Sequence, residues 1–168
     1  MNTSRRDWRF LLAVLLGTLA GAAAAHTGDP SSKPAYDYAK ARETAFGKAA
    51  DPRKAAREVK VEMSDAFRFD PPEITVKRGE IVRFVARNGG KQMHEMVLGT
   101  RKELEEHAAM MKRFPGMQHD EPHMVHVAPG KTGEMGWQFT RKGEFYYGCL
   151  VAGHWEAGMV GRVKVVDR

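Results

Sequence analysis

The chain has 168 residues, 42% of them apolar and 29% charged, with a net charge of +6. This balance fits one soluble globular core with polar appendages. Cys149 is the only cysteine, which excludes an intramolecular disulfide and any metal centre bridged by two thiolates.

The first 25 residues have the layout of an export signal. Arg5, Arg6 and Arg9 form a charged start, Phe10 to Leu19 is an apolar run, and Ala22 to Ala25 offers small residues for cleavage. Ser4-Arg5-Arg6-Asp7 also resembles a twin-arginine signal, used by proteins exported in the folded state. The apolar run is short for a membrane span, so no stable membrane insertion is expected once the signal is removed. Cleavage takes away three arginines and one aspartate, so the net charge falls from +6 to +4. A periplasmic location is expected, which suits a protein without disulfides. His26 would then begin the mature chain, where amine and ring can chelate a metal ion; an incidental residue at a cleavage site is the simpler reading.

Residues 26–58 read as a flexible basic arm. HTGDPSSKP is turn chemistry. Tyr36 to Phe46 is expected as a short amphipathic helix stopped at Gly47, and Asp51-Pro52 breaks the chain. Export argues against a nucleic-acid partner. A solvated arm, or a docking surface for an acidic partner, fits better.

From Val59 onward the pattern is that of strands. VKVEM alternates apolar and polar residues, as a half-buried strand does. FRFDPPEITVK reads as strand, turn, strand; EIVRFVARN, the stretch from His94 to Leu98, VHVAPG, TGEMGWQFT, EFYYGC and MVGRVKVV continue the series. About eight short strands broken by Gly and Pro predict an all-β Greek-key sandwich over 59–168. One helix interrupts it. Thr100 with Glu103 three residues on has the form of a capping box, and Pro115-Gly116 ends the helix.

The chemistry concentrates near the C-terminus. In FYYGCLVAGHWEAGMVG, Cys149 is followed at equal spacing by His154 and Met159. The aromatic run reads as a strand end, Leu150 to Gly158 as a tight loop, and Met159 as the opening of the last strand. One loop then presents three ligands to one point, and His94 on a neighbouring strand supplies a fourth. One thiolate, two imidazoles and one thioether form the donor set of a blue-copper site.

On these residues the sequence from about Val59 to the C-terminus resembles the cupredoxins, the small type 1 copper proteins. The resemblance implies His94, Cys149 and His154 as equatorial copper ligands and Met159 as the axial one. It implies a one-electron Cu(I)/Cu(II) site and a redox partner docking where the C-terminal histidine ligand, His154, reaches an apolar patch. Leu150, Val151, Ala152 and Trp155 would supply part of that patch, or simply pack the loop. The residue after the first histidine ligand is often Asn in the family and ties the ligand loops together. Here it is Glu95, which either tethers the loop differently or points to solvent.

The insertion over 100–123 and the strand after it are rich in soft donors. Met93 to His126 holds six of the ten methionines and five of the seven histidines. His107, Met110 and Met111 share one helix face, and Met117, His119, His123, Met124 and His126 follow. They either pack the helix and decorate the surface, or bind additional copper. The combination resembles periplasmic cupredoxins linked to copper tolerance, so copper handling is the expected function and a soluble electron shuttle the alternative. No enzyme is expected, apart from Cu(I) oxidation as a route to detoxification. A thiol hydrolase lacks a third residue to orient a base. A multicopper oxidase needs histidines flanking Cys149, where Gly148 and Leu150 stand. A zinc site on Cys149, His154 and His94 leaves Met159 without a task.

Overall fold

The computed structural model describes residues 36–115, 117 and 119–167. The expected export signal and His26 lie outside these residues, as does part of the expected arm. Ten strands and one α-helix are present among the described residues.

In chain order the strands are β1 (Lys48–Ala49), β2 (Arg57–Ser64), β3 (Arg68–Asp70), β4 (Glu73–Lys77), β5 (Ile81–Asn88), β6 (His94–Gly99), β7 (Met124–Val127), β8 (Thr132–Gln138), β9 (Gly143–Gly148) and β10 (Val160–Val166). Helix α1 (Arg101–Arg113) lies between β6 and β7. The strands form two five-stranded sheets, ordered β1-β8-β5-β2-β3 and β4-β10-β9-β6-β7. The β2–β5 and β4–β10 pairs are parallel and the other pairs antiparallel.

Period-two patterning carries the sandwich. Val59, Val61 and Met63 of β2 face inward, with Val82, Phe84 and Ala86 of β5 beside them. Ile74, Val76, Phe145, Tyr147, Val163 and Val165 answer from the other sheet, in one contiguous core.

Strand β6 departs from alternation, because all six of its residues are buried. Its inward side chains, Met96 and Leu98, join the main core. Val97, on the other face, packs with Leu104, Ala108 and Met111 of α1, and with Met124 and Leu150. These helix positions, spaced four and three apart, form one apolar stripe. Thr100 caps α1 and Glu103 returns the bond, the capping box read from the sequence.

The segment preceding β2 differs from the flexible arm expected over 26–58. Within its described part, β1 pairs with β8, and Phe46, Ala49 and Ala50 are buried. The Phe46 ring stacks on Trp137 at 4.9 Å, and Trp137 Nε1 donates to the Phe46 carbonyl at 3.2 Å. The helix expected over Tyr36 to Phe46 is replaced by a single 3-10 turn at Tyr38–Lys40. Tertiary burial of Phe46 outweighs local helix propensity here. Gly47 is no helix terminator: a Cβ there would lie 2.1 Å from the Gln138 carbonyl oxygen, so glycine permits the close approach.

Candidate metal centre

His94 opens β6, Cys149 follows the last residue of β9, and Met159 precedes β10. Strands β9 and β10 pair in register, with Gly148 opposite Val160. The pairing continues beyond the sheet: Cys149 N donates to the Met159 carbonyl at 3.1 Å, and Met159 N to the His154 carbonyl at 3.0 Å. The loop over 150–158 is therefore cinched at its base. Within it His154 N bonds to the Val151 carbonyl and Ala157 N to that of Gly153. Gly153 has φ +90°, a left-handed conformation that glycine adopts at little cost.

These connections gather the ligand atoms. Cys149 Sγ lies 3.2 Å from His154 Nδ1 and 3.9 Å from His94 Nδ1. The Sγ and imidazole nitrogens offered by Cys149, His94 and His154 all fall within 4.8 Å of one another. Cys149, His94 and Met159 are fully buried, and His154 is 5% exposed. Met159 sits in the same core cluster as Cys149. The four residues singled out from the sequence are thus brought to one end of the sandwich.

The surroundings prepare the donors for a cation. Asp65 Oδ1 stands 3.1 Å from His94 Nε2 and accepts from the Gln92 amide, while Oδ2 accepts from the Lys91 amide. With its Nε2–H committed to Asp65, His94 turns a bare Nδ1 toward Cys149. Burial lowers the pKa of His154, with the adjacent His94 adding to the effect, which favours the neutral, ligating form of the His154 ring. Burial also pushes the Cys149 thiol up to about 12. A buried thiol of this kind ionises readily only beside a cation. A soft sulfur and two imidazoles gathered in the interior, with a thioether in the same core cluster as the sulfur, fit a copper ion.

Glu95 is 2% exposed and does not point to solvent. Its amide donates to Cys149 Sγ at 3.4 Å, and its Oε1 accepts from Leu150 N at 2.9 Å. It therefore tethers the ligand loop to β6. Glu95 lies opposite His126 in the β6–β7 register, and Oε2 is 2.9 Å from His126 Nδ1. Burial raises the pKa of the Glu95 carboxyl, against the pull of His126 and the Leu150 amide.

Sequence reasoning missed Asp65, in a turn with no ligand-like spacing. It also missed Asn88, whose buried side chain bonds Gln92, Val127 and Gly90 and shapes the turn before His94. Phe67, at φ +56°, packs its ring 4.7 Å from that of His154. The expected docking patch is partly used up by packing. Leu150 is buried beneath α1, and the Trp155 ring occupies the place of a Cβ on Gly148, 2.6 Å away.

The insertion residues separate into several groups. Met111 and Met124 are buried packing against Val97, whereas Met110 and Met117 are exposed. His123 lies edge-on to Phe46 and Trp137. His126 bonds Glu95 through one nitrogen and the His119 carbonyl through the other, at 3.0 Å. His107 and His119 face each other, with their Nε2 atoms 2.8 Å apart.

Comparison with known proteins agrees with this geometry. The family described as copper binding proteins, plastocyanin/azurin family, matches residues 55–166. The copper-resistant cuproprotein CopI of Rubrivivax gelatinosus is 51% identical over 164 residues, 98% of each chain. The protein of the same name from Pseudomonas aeruginosa is 35% identical, covering 90% of this chain and 93% of its own. Among solved structures, auracyanin B superposes with a TM-score of 0.59 at 18% identity, over 72% of this chain and 96% of that one. An azurin from Methylomonas sp. strain J gives 0.56 at 14% identity, over 67% and 100%. These two show the cupredoxin fold.

Proposed function

Because the chain belongs to the plastocyanin/azurin family of copper-binding proteins, we propose that it holds one type 1 copper through His94, Cys149 and His154, with Met159 as the axial ligand, and serves copper handling in the periplasm. The observation that carries this reading is the buried thiol of Cys149 facing two imidazole nitrogens at 3.2 and 3.9 Å. Bound there, copper supplies one-electron chemistry between Cu(I) and Cu(II).

The protein's part is to hold its donors still. Cu(I) prefers sulfur and Cu(II) prefers nitrogen, and a donor set fixed between these preferences rearranges little between oxidation states. Asp65 orients His94, and Glu95 fixes the loop carrying Cys149 and His154. Phe67 packs on the His154 ring and Trp155 on Gly148, which holds the loop in place.

The relatives named as copper-resistant cuproproteins match over nearly their whole length, which supports tolerance over general electron shuttling. The layout of residues 1–25 supports export. A redox partner would approach His154, with the exposed Met93 beside His94 at the rim.

Copper tolerance is tested by growth on graded copper. A strain deprived of this chain is expected to be copper-sensitive and rescued by wild type but not by Cys149→Ser. Equal growth of all three at every copper level contradicts the reading.

A further inference from the structure

The hairpin turn between β2 and β3 touches the metal centre without contributing a ligand to it. Ser64 pairs with Arg68 across the two strands, so Asp65, Ala66 and Phe67 form the connection. It is closed by a bond from Phe67 N to the Ser64 carbonyl at 2.9 Å. Three-residue connections of this kind end on a left-handed residue, a place that favours glycine. Here that residue is Phe67, at φ +56°. Among the described residues no other non-glycine residue has a positive φ. A bulky side chain in this conformation is strained, and it persists only where its surroundings hold it.

We propose that Arg68 is a positioning residue for the copper ligand His154: its guanidinium ties this turn to the loop over 150–158 and so holds the Phe67 ring against the imidazole. The inference rests on the reading of Cys149, His94, His154 and Met159 as the copper ligands.

Three observations carry it. First, Arg68 Nη1 donates to two carbonyls, that of Phe67 at 2.7 Å and that of Ala157 at 3.0 Å. One nitrogen thus fastens the strained residue to the ligand loop, 89 residues away in sequence. A Cβ on Gly158 would lie 3.4 Å from the same nitrogen, so the guanidinium runs along the backbone just before Met159. Second, the Phe67 ring lies 4.7 Å from that of His154 and 6.5 Å from that of His94, and it packs against the main core. Of the four ligands, His154 alone keeps some exposure, 5%. Phe67 therefore sits beside the one ligand that reaches the surface. Third, the same turn grips the other imidazole, through Asp65 Oδ1 and His94 Nε2 at 3.1 Å.

The loop is then held at both ends. Glu95 fastens it at Leu150 and Arg68 at Ala157, with His154 between them. Without the second fastening, nothing offsets the cost of the left-handed Phe67, and the turn is free to swing its ring away from His154. Arg68 itself is exposed, so its removal is expected to leave the fold intact.

The test uses the full chain, first without metal. The ring current of Phe67 displaces the ring-proton resonances of His154 in proton NMR. Phe67→Leu keeps an apolar side chain but no ring, and marks where those resonances fall once the current is gone. Arg68→Ala is expected to move them most of the way to that position although Phe67 is still present, with an unfolding temperature near that of wild type. Loaded with copper, Arg68→Ala is expected to release the ion to a chelator about tenfold faster than wild type. His154 resonances that stay at their wild-type positions overturn the proposal, and so does an unchanged release rate. Should Arg68→Ala fail to fold, Arg68→Lys decides, because it keeps the charge but not the planar fork. It is expected to displace the same resonances in the same direction, and wild-type positions overturn the proposal. A chain that takes up no copper at Cys149 contradicts the reading of the metal centre, and the metal-free spectra then still decide the role of Arg68.

Discussion

Asp65 Oδ1 lies 3.1 Å from the Nε2 of His94, on the side of the ring away from Cys149. The carboxylate fixes which nitrogen carries the proton and how the ring is turned. Such a partner to a ligating histidine typically contributes about 10- to 100-fold in metal affinity. Asp65→Ala is therefore expected to weaken copper binding by that factor, measured by competition with a chelator of known affinity. Unchanged affinity contradicts the role.

Glu95 replaces the asparagine expected from the family and performs a tethering task through Oε1 and the Leu150 amide. Glu95→Gln keeps an acceptor for that amide and is expected to retain the fold and the site. Glu95→Ala leaves a buried N–H unpaired, at about 1–3 kcal/mol. Thermal unfolding of the metal-free variants checks this: alanine is expected to fall well below glutamine, and equal values contradict it.

The packing of Phe46 on Trp137 ties residues before β2 to the sandwich. Phe46→Ala is expected to destabilise the chain by about 3–5 kcal/mol, as loss of a core aromatic does. Denaturant unfolding measures it. A loss below about 1 kcal/mol, typical of a surface change, would restore the flexible-arm reading.

Asp51 is bound by Arg53 through both Nε and Nη2, at 2.9 and 2.8 Å. The Arg53 side chain, then its amide, holds the Asp51 carboxyl at about 2, below the ordinary 3.8. A depressed folded pKa gives stability that is present above 3.8 and lost as pH falls toward 2. Asp51→Asn keeps the cap on the following turn but removes the ion pair. The stability gap between wild type and variant is expected to be constant at neutral pH and to close between 3.8 and 2. A gap independent of pH contradicts the assignment.

The ligand loop was legible because its information is local. Cys149, His154 and Met159 lie within one hairpin connection, so their spacing alone implies convergence. His94 needed only a strand opposite that loop. Alternation likewise exposed the strands, and Thr100 with Glu103 marked the helix start. What stayed hidden depends on distant contacts. Asp65 is 29 residues from His94, and nothing in its turn predicts that meeting. Phe46 bonds a tryptophan 91 residues away, so the segment around it looked like a tail by composition. The methionines of the insertion look alike in sequence. Only packing separates the buried Met111 and Met124 from the exposed Met110 and Met117.

The most direct measurement is the visible absorption spectrum of the copper-loaded chain, with metal counted in the same sample, beside that of Cys149→Ser. A buried thiolate bound to Cu(II) is expected to give an intense visible band whose strength corresponds to one copper per chain, absent from the serine variant. A chain that takes up copper without that band, or a band that persists when serine replaces Cys149, would contradict the four-ligand centre.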